Sequence, residues 1–192
     1  DLDRAVEGAV VASFANTGQL CISIERIYVS EPIAERFTEA LGARVRALRL
    51  GAEQAYGPEV GALASQDQLD KVRSHVDDAV AKGARVVAGG RHRPDIGPLF
   101  FEPTVLTGGT AEMDLYRDET FGPVVAISPF STEEEVVRRA NDTDYGLNCS
   151  LWTKDAKRGR SVAERLQAGT INVNEGYAAA WASVDAPMGG MK

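Results

Sequence analysis

Cysteine and histidine are scarce in this chain. Two of each occur in 192 residues: Cys21 and Cys149, His75 and His92. Two cysteines so far apart make no disulfide framework. Without a Cys-x-x-Cys there is no zinc-ligand spacing either, so no metal site is expected. No apolar run approaches the length needed to span a bilayer. No basic, apolar, small-residue stretch opens the sequence, so nothing reads as a secretory signal. Lys and Arg number 21 against 28 Asp and Glu, for a net charge of −7, and they form no cluster. Nucleic-acid binding needs positive charge to displace counterions, so no nucleic-acid partner and no membrane partner are expected. No G-x-G-x-x-G occurs, and Gly89-Gly90 alone makes no phosphate cradle. The expected compartment is the cytoplasm.

What is present suits a globular protein. Hydrophobic residues make up 44% and charged residues 26% of a chain long enough for one domain with a substantial core. The stretch Phe14-Ala15-Asn16-Thr17-Gly18-Gln19-Leu20-Cys21 stands out. A helical pattern precedes it and a strand pattern follows, so a single thiol falls where one element gives way to the other. Such a connection is held on both sides and leaves backbone N–H groups near the side chain, which suits a nucleophile.

Asp1 caps a first helix whose stripe is Leu2, Val6, Ala9, Val10 and Phe14. Residues 22–29 read as a strand with a register shift at Glu25-Arg26. Pro32 opens a second helix with Ile33, Phe37, Leu41, Val45 and Leu48 inward. Residues 51–64 read as an irregular surface loop. Ser65 and Gln68 have capping-box spacing ahead of a third helix. His75 falls on that helix's flank and reads as a surface histidine. Residues 85–88 and 100–106 read as strands, the latter bent or at an edge because of Pro103. His92 lies in the polar loop between them. Residues 112–118 carry no pattern, and 124–127 form a buried strand. Ser131 and Glu134 offer a second capping box. Residues 148–152 form a strand in which Cys149 reads as core. A helix capped by Asp155 and a strand over 170–173 follow. The tail is loop-like and rich in aromatics, as a pocket wall or interface would be. Strands alternating with helices predict an α/β, three-layer domain with a mostly parallel sheet and helices on both faces.

Three segments carry a resemblance. Phe14, Asn16, Gly18, Gln19 and Cys21 match F-x-N-x-G-Q-x-C. Glu119-Thr120-Phe121-Gly122-Pro123 matches E-x-F-G-P, and Asn174 with Pro187-Met188-Gly189-Gly190-Met191-Lys192 matches N…P-x-G-G-x-K. In this order they resemble the aldehyde dehydrogenase superfamily, and the segments around Cys21 and Asn174 look most like its succinate-semialdehyde dehydrogenase branch. The resemblance implies that Cys21 is the nucleophile, that Glu119 holds the ribose beside nicotinamide, and that Phe121 packs on the nicotinamide ring. Tyr177, Trp181 and Ser183 are the candidate substrate contacts. The resemblance further implies NAD or NADP as cofactor, a small-molecule aldehyde as substrate and a homo-oligomeric assembly.

The chain also departs from the family. The resemblance implies a nucleotide-binding domain that supplies most cofactor contacts, a general-base Glu and an oxyanion Asn. None of these falls within residues 1–192, which read as one catalytic domain. Ala15 stands where some members of the branch place an Arg for the substrate carboxylate. Three alternatives stay open: a dehydrogenase for neutral aldehydes, a thiol hydrolase pairing Cys21 with His75 or His92, and a chain that is inactive on its own.

Overall fold

A computed structural model describes residues 1–53, 56–178 and 182–192. Four strands form the principal sheet: β1 (Arg26–Ser30), β2 (Arg85–Ala88), β3 (Thr104–Thr107) and β4 (Val124–Phe130). Their order is β1-β4-β3-β2. β1 and β3 run parallel to β4, and β2 runs antiparallel to β3. A second, parallel pair is made by β5 (Asn148–Leu151) and β6 (Thr170–Val173). The single sheet expected from the sequence is thus two.

Alternation along β3 and β4 sends side chains to two separate cores, because successive residues of a strand point to opposite faces. Val105, Val125 and Ile127 pack with Val6, Val10 and Phe14 of α1 (Leu2–Phe14) and with Phe37, Leu41 and Val45 of α2 (Glu31–Arg46). Leu106, Val124 and Ala126 pack with Leu69, Val72 and Val76 of α3 (Gln66–Ala81) and with Leu115 of α4 (Asp114–Arg117). Each large aliphatic side chain buried this way contributes about 1.5–3 kcal/mol. No helix among the described residues is long and apolar enough to cross a membrane.

Several boundaries differ from the sequence reading. The first strand begins only at Arg26, because residues 20–23 form a turn in which the Ser23 N–H reaches the Leu20 carbonyl at 2.9 Å. β3 starts at Thr104, just after Pro103, and lies inside the sheet, so the proline sets the strand's beginning and not an edge. Residues 112–118 contain α4, whose Asp114 N–H is accepted by the Asp78 carboxylate at 2.9 Å. The helix α5 (Glu133–Asn141) is capped by Thr132, not Ser131. Thr132 accepts the Glu135 N–H, and the Glu135 carboxylate accepts the Ser131 N–H, so the box sits one residue later. The loop over 51–64 is not purely superficial: Val60 and Leu63 are buried, and Val60 bridges Leu50.

The second sheet packs with α6 (Ala156–Ala163) and leans on α1, where Trp152 lies over Gly8 so closely that a Cβ there would overlap the indole. One edge of each sheet, β1 in the first and β5 in the second, faces a shared space. Residues 23–30 and 146–154 along those edges line a cavity of about 1060 Å3.

Candidate active site

α1 ends at Phe14, and the chain then turns through three left-handed residues. Asn16 has φ 50°, Thr17 φ 62° and Gly18 φ 68°. A left-handed non-glycine residue costs about 1–2 kcal/mol, so this run persists only because its surroundings hold it. The Thr17 hydroxyl accepts the Gly61 N–H at 3.2 Å. The Gln19 amide donates to the Ala62 carbonyl at 3.3 Å and accepts the Ala64 N–H at 2.8 Å. The loop over 61–64 therefore buttresses the segment that leads to Cys21 from outside, a role without any trace in sequence spacing. Cys21 follows in the turn over 20–23, exposed and on the wall of the large cavity.

The Glu119–Pro123 segment lies directly against this one. A Cβ on Gly18 would overlap the carbonyl oxygen of Gly122, so only glycine permits the approach. Phe121 is itself left-handed, at φ 52°. The peptides around it are gripped from two sides. The Glu25 carboxylate accepts the N–H groups of Thr120 and Phe121, each at 2.8 Å. The Gln68 amide donates to the carbonyls of the same two residues at 2.7 and 2.8 Å. Gln68 thus serves this loop with its side chain, while its backbone N–H takes the Ser65 cap. Loss of water around Glu25 raises its carboxyl above the usual carboxylate range, and the two N–H groups partly offset that rise.

His75 is buried, not superficial. Its Nδ1 lies 3.1 Å from the Thr120 hydroxyl, and burial lowers its pKa, with the Lys71 charge adding to that effect. His92 is tied at Nε2 to the Pro98 carbonyl at 2.8 Å. Cys21 lines the large cavity and neither imidazole does.

The predicted site residues separate into two groups. Cys21 and Glu119 share the cavity wall. Glu119 is half-buried, and its backbone N–H donates to the Tyr145 hydroxyl at 3.1 Å. Its carboxylate has no salt-bridge partner among the described residues, so it is available as an acceptor for a sugar diol. Phe121 is half-buried beside it and off the cavity wall. Tyr177 is half-buried in the following segment, its hydroxyl pushed up by burial and by Glu175, and Ser183 is exposed in the tail. Neither lines the cavity. Trp181 lies outside the described residues. Cys149 lines the same cavity from β5, and desolvation pushes its thiol up to about 11. No group of acidic, His and Cys side chains among the described residues is arranged to hold a metal.

Behind the thiol, Asn148 joins the second sheet to the turn. Its amide donates to the Ile22 carbonyl at 2.9 Å and accepts from Asn172 at 2.9 Å. Asn174, at φ 60°, accepts the Thr153 N–H at 2.9 Å and holds the start of the tail against β5.

Known proteins are similar to this chain in sequence and in fold. A putative NADP(+)-type succinate-semialdehyde dehydrogenase from Mycobacterium ulcerans is 55% identical over 191 residues, covering 100% of this chain and 37% of the relative. A 3-sulfolactaldehyde dehydrogenase from Pseudomonas putida is 45% identical over 100% of this chain and 39% of its own. The crystal structure of succinate-semialdehyde dehydrogenase from Burkholderia pseudomallei superposes with a TM-score of 0.87 at 44% identity, over 92% of this chain and 36% of that one. The chain thus spans little more than a third of the length of these relatives. The aldehyde dehydrogenase family model matches residues 1–192 from end to end, and the chain belongs to that family.

Proposed function

We propose that residues 1–192 are the catalytic domain of an NAD(P)-dependent aldehyde dehydrogenase that converts succinate semialdehyde to succinate. The observation that carries this reading is the junction of two segments. Cys21 stands on an exposed turn, its segment packs through Gly18 onto Gly122, and Glu119 shares its cavity wall.

The chemistry follows from the thiol. The Cys21 thiolate adds to the aldehyde carbon, forming a C–S bond and a tetrahedral thiohemiacetal. The N–H of Cys21 itself would help hold the oxygen that becomes negative. A bound nicotinamide nucleotide supplies the acceptor for the hydride that leaves the carbon. The thioester that remains on Cys21 is hydrolysed by water, which breaks the C–S bond, releases the acid and restores the thiol. Glu119 fits the ribose end of the cofactor, because a half-buried carboxylate without an ion pair suits a vicinal diol. Phe121 would flank the nicotinamide. A further domain of the full-length protein would supply the cradle for the cofactor's diphosphate, the general base and the oxyanion Asn.

Relatives support the substrate and cofactor. The Mycobacterium ulcerans relative is named for NADP(+), which favours that form here. Its name and that of the Pseudomonas putida relative both denote aldehydes carrying an acid group. Tyr177, Trp181 and Ser183 of the tail are assigned to the substrate side, with Ser183 toward its carboxylate. A cytoplasmic, homo-oligomeric enzyme without nucleic-acid or membrane partners completes the reading.

The test is NAD(P)H formation by the full-length protein carrying this chain, with succinate semialdehyde and neutral aldehydes and with each cofactor. Turnover preferring succinate semialdehyde and NADP, abolished in Cys21→Ala, is the expected result. Turnover of neutral aldehydes alone overturns the substrate, and no reduction of either cofactor overturns the dehydrogenase.

A further inference from the structure

Two residues past the turn that holds Cys21, a carboxylate does something no motif explains. Glu25 lies where the chain enters β1, so it is rigidly related to the nucleophile: the Ile24 N–H is fixed to the Ala12 carbonyl of α1 at 2.9 Å, and Arg26 already pairs with Ala126 of β4. From there its two oxygens reach 95 and 96 residues along the chain to the N–H groups of Thr120 and Phe121, one oxygen to each. A carboxylate accepting two aligned N–H groups makes strong, geometrically demanding bonds. It also holds Phe121 in a left-handed conformation that phenylalanine disfavours.

We propose that Glu25 is a positioning residue for the cofactor: it fixes the Glu119–Phe121 loop to the short segment between the Cys21 turn and β1, so that ribose and nicotinamide contacts are held in register with Cys21. The inference rests on the dehydrogenase reading above. Two separate points lock the segments, the Gly18–Gly122 contact on one side and Glu25 on the other. Two points of attachment fix orientation as well as distance, which a single contact cannot. Gln68 and His75 grip the same loop from α3, but that helix is not continuous with the nucleophile segment. Glu25 alone among these side chains links the two chemistries through one short stretch of backbone.

The experiment uses the full-length protein with Glu25→Gln, which keeps shape and removes the charge. The expected result is a rise of about tenfold in KM for the nicotinamide cofactor, with KM for the aldehyde within about twofold of wild type, and faster amide exchange at Thr120 and Phe121. A merely structural role would raise both KM values together or neither. A cofactor KM within about twofold of wild type overturns the proposal while leaving the dehydrogenase intact. If wild type itself reduces neither cofactor, the dehydrogenase reading falls and takes this role of Glu25 with it. Should Glu25→Gln not fold, Glu25→Asp carries the same test: its carboxylate is withdrawn by one methylene, and it predicts a smaller rise confined to the same KM, whose absence is equally decisive.

Discussion

The four-stranded sheet and the β5–β6 pair hold themselves together by different means. The first is covered on both faces by aliphatic clusters, and Leu106, Val105 and Val125 have no exposed surface at all. In the second, all four residues of β5 are only half-buried, and its ties are polar. Asn148 bonds Ile22 and Asn172, the Ser150 hydroxyl donates to the Glu175 carbonyl, and the Trp152 indole N–H donates to Ser150. Apolar burial is non-directional and tolerates small shifts, whereas hydrogen bonds fix orientation. The Cys21 turn sits at the border, with apolar packing beneath α1 and the polar network behind Ile22. The first supplies stability, the second aim.

Breaking each side separately tests the contrast. Leu106→Ala removes a fully buried side chain between α3 and the sheet and lowers stability by about 2–5 kcal/mol, read from urea denaturation. Asn148→Ala strips partners from the Ile22 carbonyl and Asn172 and costs about 1–2 kcal/mol in the same assay. If Asn148→Ala proves the costlier of the two, the assignment of stability to the first sheet is wrong.

The smallest effect is one of pH. Burial depresses the His75 pKa in the folded state, so the unfolded chain binds its proton first. The stability His75 contributes is fully present above its ordinary value near 6.5 and is lost as pH falls through the folded pKa. The melting temperature of wild type therefore falls more between pH 7.5 and pH 5.5 than that of His75→Leu. Equal slopes would mean that the ring titrates as freely in the fold as out of it.

The sequence made some of this visible and hid the rest for physical reasons. α1, α2 and α3 announced themselves because a cap, a stripe and a stop are local signals, and Asp1 and Ser65 cap as their spacing implies. The Thr132 cap was off by one because Ser131 and Thr132 carry the same hydroxyl chemistry and the acidic run 133–135 supplies a partner for either. The grip of Glu25 on Thr120 left no pattern, since a side chain meeting backbone 95 residues away depends on neither residue's periodicity. His75 was misread as superficial because its place beside the stripe of α3 does not reveal that Thr120 covers it. The motif segments were legible one by one, while their contact at Gly18 and Gly122 required the fold.

The two thiols differ in their surroundings. Desolvation pushes the Cys149 thiol up to about 11 and disfavours its thiolate at neutral pH, whereas Cys21 stands exposed on its turn. A thiol-reactive fluorophore or spin label added to residues 1–192 at pH 7 therefore favours Cys21 over Cys149. A spectroscopic signal from that label then reports on the turn over 20–23.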